Sequence, residues 1–460
     1  MKSDGGRAAA DATSGLPSAG LPLTAFEEHM LADDRPTHPM VIAVRLDFAG
    51  GPPPPSLAAA FTSTLRQEPL LTARVQRRRL GRPRWMAGEP PRLLVSSAGE
   101  VAGDDAWPGV PPRIDAYDGP VLHAEVLTRA DGWTLLIAVH HAAADGLGIV
   151  GFIERWLDAA AGRDESPRHR PRPVSLAARG RVAASWGAFM RMLPGLALGL
   201  QGVRQFMARR VMSLERRAVE AATAPAGHWR PAVVTATLDV ADVQAIDRQG
   251  RAAAGTVNDI LMAAFVATLG EWHAAEPARD EEAWIRVGVP MSLRTKSDYG
   301  LPAANRVSMV FLDRRAADRH DPDGLVRGLH AEMDVIRVHG LGHVFPLTLE
   351  LGRLLPGGLR RVAERPAPQC TAVLSNLGRC FHRSPLTGED GQVTLGAARL
   401  VDWWIVPPVR PGTAIAAATH ETGGRRTIAL HVAPSGPSAA DARRLLEEWT
   451  RGVRGLGVNG

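Results

Sequence analysis

The chain has 460 residues, 45% of them hydrophobic and 22% charged. That balance excludes a wholly disordered chain, and the length is more than one ordinary core fills, so two domains, or two similar halves around one cleft, are expected. Lys and Arg number 54 against 48 Asp and Glu, a formal charge of +6, with Lys only at Lys2 and Lys296; such a field attracts a phosphate-bearing cofactor, an acidic carrier protein or an anionic lipid surface, while 5% aromatic content and the lack of a nucleic-acid motif argue against nucleic acid.

Met1 to Gly20 are small and polar without an apolar run and read as a flexible leader. Alternation then predicts a strand over 40–48, Ser56 as the N-cap of a helix carrying Leu57, Phe61 and Leu65, and short strands over 84–87 and 92–95. A hairpin follows, 121–127 and 133–139, around Ala130-Asp-Gly132, where Asp-Gly is expected to supply positive φ. Its second strand leads straight into His140-His141, and an amphipathic helix over 149–157 comes next. Arg163 to Pro173 is rich in Pro and Arg and marks a linker. Ser175 to Glu220 reads as a basic helical region with Arg179, Arg181, Arg191, Arg204, Arg209 and Arg210 beside Trp186, Phe189, Met190 and Phe206. The plainer reading is a helix with a solvated arginine face; the competing one is a membrane-surface or lipid-entrance helix. No apolar run is long enough for a membrane span, the longest, 192–203, being broken by Pro194.

The second half is expected to start near Trp229, with a strand over 233–240 and a helix over 240–249. Thr256 with Asp259 caps a further helix whose buried stripe is Ile260, Leu261, Ala264, Phe265 and Leu269. Strands are expected over 284–290, 305–312, 370–376, 398–405, 413–420 and 427–432, and a last helix over 441–454. The organisation is thus a leader 1–20, an N-terminal half 21–162, a linker and basic helical region 163–222 and a C-terminal half 223–460, in an α/β or α+β architecture of two mixed-sheet halves. Cys370 and Cys380 carry no zinc-partner motif, and without a secretory signal a reducing, cytoplasmic setting is expected, with peripheral membrane contact as the alternative placement.

His140-His141-Ala-Ala-Ala-Asp145-Gly146 lies where a strand passes into a helix. An imidazole titrates near neutral pH and suits general-base work on a hydroxyl or amine; Ala142, Ala143 and Ala144 leave room beside the ring, and Gly146 allows a backbone that a side chain would block. Against this stands the plainer reading of a His at a strand end as a hydrogen-bonded core residue. Asp145, four residues after His141, is placed either to orient its ring or to join a metal site. No third ligand is signalled nearby, since His420 and His431 lie in separate strands, so no metal is expected.

His-His-x-x-x-Asp-Gly after an apolar strand resembles the signature of the coenzyme A-dependent acyltransferase and condensation-domain superfamily. Asp115-Ala-Tyr-Asp-Gly119-Pro120 is similar to the stretch that precedes the hairpin in that superfamily. Thr256-Val-Asn-Asp-Ile260, Val289-Pro-Met-Ser-Leu-Arg294 and Asn305-Arg306-Val307 resemble blocks of the wax ester synthase and diacylglycerol acyltransferase family. Ser375-Asn376-Leu-Gly378 is similar to a segment of alcohol acetyltransferases and polyketide-associated acyltransferases, and differs from the wax-ester family's Asn-Val-Pro-Gly-Pro. The likeness runs from about Phe26 to Trp449.

The resemblance implies a pseudo-dimer of two chloramphenicol-acetyltransferase-like halves with His141 midway along a tunnel between them. It implies His141 as general base, His140 as a structural residue and Asp145 in a buried ion pair with Arg294. Ser375 and Asn376 become candidates for holding the acceptor or an oxyanion, beside the plain alternative of an Asn-x-Gly turn. The implied reaction moves an acyl group from acyl-CoA or an acyl-carrier thioester to a hydroxyl or amine, with no cofactor beyond the acyl carrier. A carrier-protein-dependent condensation enzyme and a non-catalytic acyl-binding relative are the rival readings.

Overall fold

The computed structural model describes residues 15–97, 113–163, 176–181, 186–215, 232–252, 255–275, 280–295, 298, 300–364 and 368–456. Within them the alternating segments form two six-stranded mixed sheets and a small three-stranded one. The first large sheet runs, edge to edge, Thr394–Leu395, Ala398–Val406, Val41–Ala49, Gly132–His140, Leu122–Arg129 and Leu93–Ser97. The second runs Val307–Arg315, Trp284–Ser292, Ala372–Arg379, Ile415–Thr422, Arg425–Val432 and Ala232–Leu238.

Gly132–His140 is buried at all nine positions, as a central strand covered on both faces must be. One face of its sheet packs on helices Leu57–Leu65 and Gly146–Ala160 through Phe61, Phe152 and Trp156. The other meets the second sheet through Val41, Ala43, Leu136, Trp404 and Ala429. The hairpin forms in the expected register, Arg129 opposite Gly132, but neither Asp131 nor Gly132 has positive φ. Glycine is required there for another reason: a Cβ at position 132 would strike the Phe48 carbonyl oxygen of the neighbouring strand. Ser56 does not cap its helix either, its hydroxyl donating instead to the Ala160 carbonyl at 2.5 Å.

In the second half, helix Val257–Ala275 is buried nearly all round rather than along one stripe, between helices Pro322–Val338 and Ala439–Gly455. Trp449 donates its indole N–H to the Leu261 carbonyl at 3.0 Å. Residues 398–406, from the expected C-terminal half, belong to the first sheet, paired antiparallel with Val41–Ala49, so the C-terminal half lends a strand to the first sheet.

Two stretches depart from expectation because tertiary partners outweigh local composition. Of the leader, residues 1–14 lie outside the described residues, but Leu16 is buried in the first core. The basic region is helical over Trp186–Ala208, yet Arg179 ahead of it is 5% exposed and forks onto the Glu27 carboxylate at 2.7 and 2.8 Å, so it is no part of a solvated arginine face. No single helix among the described residues is long and apolar enough to cross a membrane.

Candidate active site

The strand Gly132–His140 is flanked on both sides by long antiparallel partners, so the residue after it emerges at a fixed point. The His141 amide donates to the Met40 carbonyl at 2.7 Å, and Asn305 Nδ2 donates to the His141 and Ala142 carbonyls at 2.8 Å each. The His141 ring is partly buried, with Phe26 edge-on at 5.9 Å between ring centroids. Its Nδ1 lies 3.2 Å from the Ala144 carbonyl. A carbonyl only accepts, so this contact fixes the proton on Nδ1 and leaves Nε2 free to take one. Burial pushes the His141 pKa below its ordinary 6.5, with His140 adding to the shift, while the Asp145 charge and the Ala144 carbonyl pull the other way. The ring is therefore neutral at pH 7, the state a general base needs.

His140 points away and is fully buried, its Nδ1 accepting the Ala142 amide at 3.1 Å and its Nε2 lying 3.9 Å from the Asp34 carboxylate. Burial alone would raise the Asp34 pKa, but His140, the Met40 amide and Arg113 together hold it below the usual carboxylate value.

Asp145 does not touch the His141 ring within hydrogen-bond range. It starts helix Gly146–Ala160, one carboxylate oxygen accepting the Gly148 amide at 2.8 Å. The other accepts Arg294 at 2.7 Å and the Arg306 amide at 2.8 Å. Arg294 also donates to the Ala304 carbonyl at 3.0 Å. The arrangement joins the motif loop to the second half through one carboxylate. Gly146 is needed less for its own backbone, which lacks positive φ, than because an added Cβ would press on Leu377 at 3.0 Å.

Ser375 and Asn376 stand on Ala372–Arg379 and border the same cleft. Asn376 folds back, its Oδ1 accepting the Gly378 amide at 2.9 Å, while its Nδ2 faces Asn258 at 3.4 Å. Gly378 takes φ +69 where the pairing with Ile415–Thr422 slips, so Asn-x-Gly is a bulge inside the strand and not the turn that ends it. Ser375 Oγ has no hydrogen-bond partner among the described residues. The cleft, about 630 Å³ including its open mouth, is walled by Ile42, Leu147, Pro290, Val307, Leu377, Ile405 and Pro407, with His141, Ser292, Arg294, Ser375 and Asn376 as its polar points. A mostly apolar cavity with a few convergent polar groups is the usual form of a small-molecule site. His420 and His431 are not part of it: each bonds a backbone carbonyl, of Trp403 and Pro407, and burial lowers their pKa values to about 3 and about 4.

Phe26 and Asn305 were not singled out as site residues from sequence. Asn305 carried a signal in its block, Asn305-Arg306-Val307, whereas a lone Phe in an unassigned segment carried none.

No family model matches the chain. Two uncharacterized proteins of Mycobacterium tuberculosis strains are 26% identical over 390 residues, covering 81% of this chain and 86% of theirs. Among solved structures, polyketide synthase associated protein 5 from Mycobacterium tuberculosis superposes with a TM-score of 0.65 at 15% identity, over 95% of this chain and 98% of that one. The first condensation domain of the CDA synthetase gives 0.66 at 15%, over 96% and 97%. The chain has the condensation-domain fold. Its two sheets are the cores of two chloramphenicol-acetyltransferase-like halves, and the candidate site lies between them. The starter condensation domain of rhizomide synthetase, whose structure in mutant form is a complex with C8-CoA and Leu-SNAC, superposes at 0.62 with 15% identity, over 98% and 96%. Identities this low speak for the fold; one fold hosts several reactions, so the reaction has to be argued from the site.

Proposed function

We propose that the protein is an acyltransferase that moves an acyl group from a thioester to an acceptor hydroxyl or amine, with His141 as the general base. The observation that carries this reading is the His141 ring at the cleft, its Nδ1 committed to the Ala144 carbonyl and its Nε2 left as the acceptor of a proton. The acceptor's O–H or N–H gives its proton to Nε2 as the heteroatom attacks the thioester carbonyl. The tetrahedral oxyanion that results collapses with cleavage of the C–S bond, and the imidazolium returns the proton to the departing thiolate. Ser375 Oγ is the freer of the two candidate donors to the oxyanion, because Asn376 is partly engaged with Gly378 and Asn258. Asp145 and Arg294 hold the loop and take no part in the proton transfer.

The apolar wall of the cleft suits an acyl chain, and the blocks resembling wax ester synthases suggest a fatty alcohol, a diacylglycerol or a secondary-metabolite hydroxyl as acceptor. The donor is a coenzyme A thioester or, in the rival form, an acyl group on a carrier protein. His141→Ala should lower turnover by roughly 10²- to 10⁴-fold with an unchanged melting curve. A panel of acyl-CoA and acyl-carrier donors, run with the wild type, identifies the donor class. Wild-type turnover by the variant would remove the mechanism, and turnover with neither donor class would favour the non-catalytic acyl-binding reading.

A further inference from the structure

Between Arg74 and Arg92 the chain carries arginines at 74, 77, 78, 79, 82, 84 and 92 and a single acid, Glu89. The loop between strands Ala73–Gln76 and Arg84–Ala87 puts Leu80 at its tip, 89% exposed, with Arg77, Arg78 and Arg79 exposed beside it. A single bare leucine means little. A second group of bare leucines lies in a neighbouring element: Leu351, Leu354 and Leu355, at the end of helix Val344–Arg353, are 57, 79 and 65% exposed. Arg82 joins the two, reaching Glu350 at 3.8 Å, one helical turn before Leu354. The short helix Gly358–Ala363 that follows adds the exposed Arg361.

We propose that this face docks on an anionic lipid surface, with Leu80, Leu354 and Leu355 entering the headgroup layer and Arg78, Arg79 and Arg361 meeting lipid phosphates. Charge complementarity favours an anionic partner. The leucines favour a fluid one. Exposures of this size belong to projecting tips, and a lipid surface accepts an apolar tip between cations without offering a shaped recess. The face is connected to the site through one helix: Val344–Arg353, which ends at the exposed leucines, carries Phe345 in its first turn, edge-on to Phe26 at 6.4 Å, and Phe26 is edge-on to His141. Membrane contact, which the sequence offers only as the competing reading of the basic helical region, is thereby assigned to a different surface.

The test is co-sedimentation of the full chain with phosphatidylcholine vesicles with and without phosphatidylglycerol. Wild type should pellet with the anionic vesicles only and be released by salt. Leu80→Asp with Leu354→Asp and, separately, Arg78→Glu with Arg79→Glu should each weaken binding at least about tenfold, with unchanged melting curves. Leu200→Asp, on the exposed side of helix Trp186–Ala208, should bind as wild type does. Failure of wild type to bind anionic vesicles, or equal binding by the paired variants, overturns the proposal. Loss of binding by the Leu200 variant alone returns the contact to the basic helix and overturns it too. So does retention by an acidic acyl carrier protein in the absence of vesicle binding, which would give the face to a protein partner. Binding is read without turnover, so the result is independent of the proposed acyl transfer.

Discussion

His141 comes one position after His140, the last residue of its strand, and that step decides their chemistry. Successive strand residues face opposite ways, so one ring goes to Asp34 and the interior and the other to the cleft. Burial disfavours the charged imidazolium, so the folded-state pKa of His141 lies below 6.5. The base works only when neutral; activity is lost as the pH falls through that lowered pKa and is fully present above it. In the proposed mechanism kcat/KM should therefore show an acid limb with its midpoint below 6.5 and a plateau through neutrality. A midpoint above 6.5 would mean that the free enzyme stabilises the imidazolium, contrary to the effect of burial on the ring. The motif residues were legible because their spacing is local. The role of Asp145 was not legible from spacing: four residues after His141 is the distance of a helical neighbour, yet the helix begins only at Gly146, so the carboxylate turns toward Arg294 and Arg306.

Most elements marked by a repeating apolar pattern or a glycine were readable, helix Pro322–Val338 being an exception, and an element whose buried face is polar was not. Helix Ala25–Asp33 is the clearest case. Its interior side includes Glu27, His29 and Asp33, so no apolar stripe announces it; Trp85, Arg179 and Arg410, remote in sequence, supply the partners that make burial tolerable. A local signal did exist, the capping box in which the Glu27 amide donates to Thr24 Oγ1 at 3.2 Å and the Thr24 amide to Glu27 at 2.9 Å. Helix Pro322–Val338 likewise had Asp321 as cap, Pro322 in its first turn and Leu325, Leu329, Met333 and Ile336 at helical spacing. Helix Gly146–Ala160 depends on Asp145 for its start and for its tie to the second half. Asp145→Ala removes the cap, worth about 1 kcal/mol, and strands a largely buried Arg294, so a loss on the order of 3–5 kcal/mol is expected in urea unfolding. Asp145→Asn keeps the cap and should fall between. Should the alanine variant unfold at the wild-type midpoint while losing turnover, Asp145 would belong to the chemistry and not to the scaffold.

At the scale of the whole molecule the sequence reading found both halves and most of their strands but not the strand that the second half lends to the first, because a strand's pattern says that it is buried and not which sheet receives it. Ala398–Val406 reads as a strand of the second half and serves the first, seating Trp403 and Ile405 in its core. The chain reaches it through Phe381, which adopts φ +58, uncommon for a bulky residue, and is held by its amide on Glu154 at 2.7 Å. The first core is thus completed by residues more than two hundred positions away. Removing one large buried aromatic costs about 3–5 kcal/mol, and whole domains are stable by only about 5–15 kcal/mol, so the loss of Phe381, Trp403 and Ile405 together exceeds what the N-terminal half can bear. Cut after residue 163, where the sequence suggests a linker whose residues 164–175 lie outside the described residues, fragment 1–163 expressed alone should be insoluble or show no dispersed NMR spectrum, whereas co-expression with fragment 164–460 should yield one complex that stays together through size-exclusion chromatography. A folded, monomeric 1–163 would mean that the lent strand is an ornament on the first sheet, and the cleft between the halves would then be free to open as a hinge.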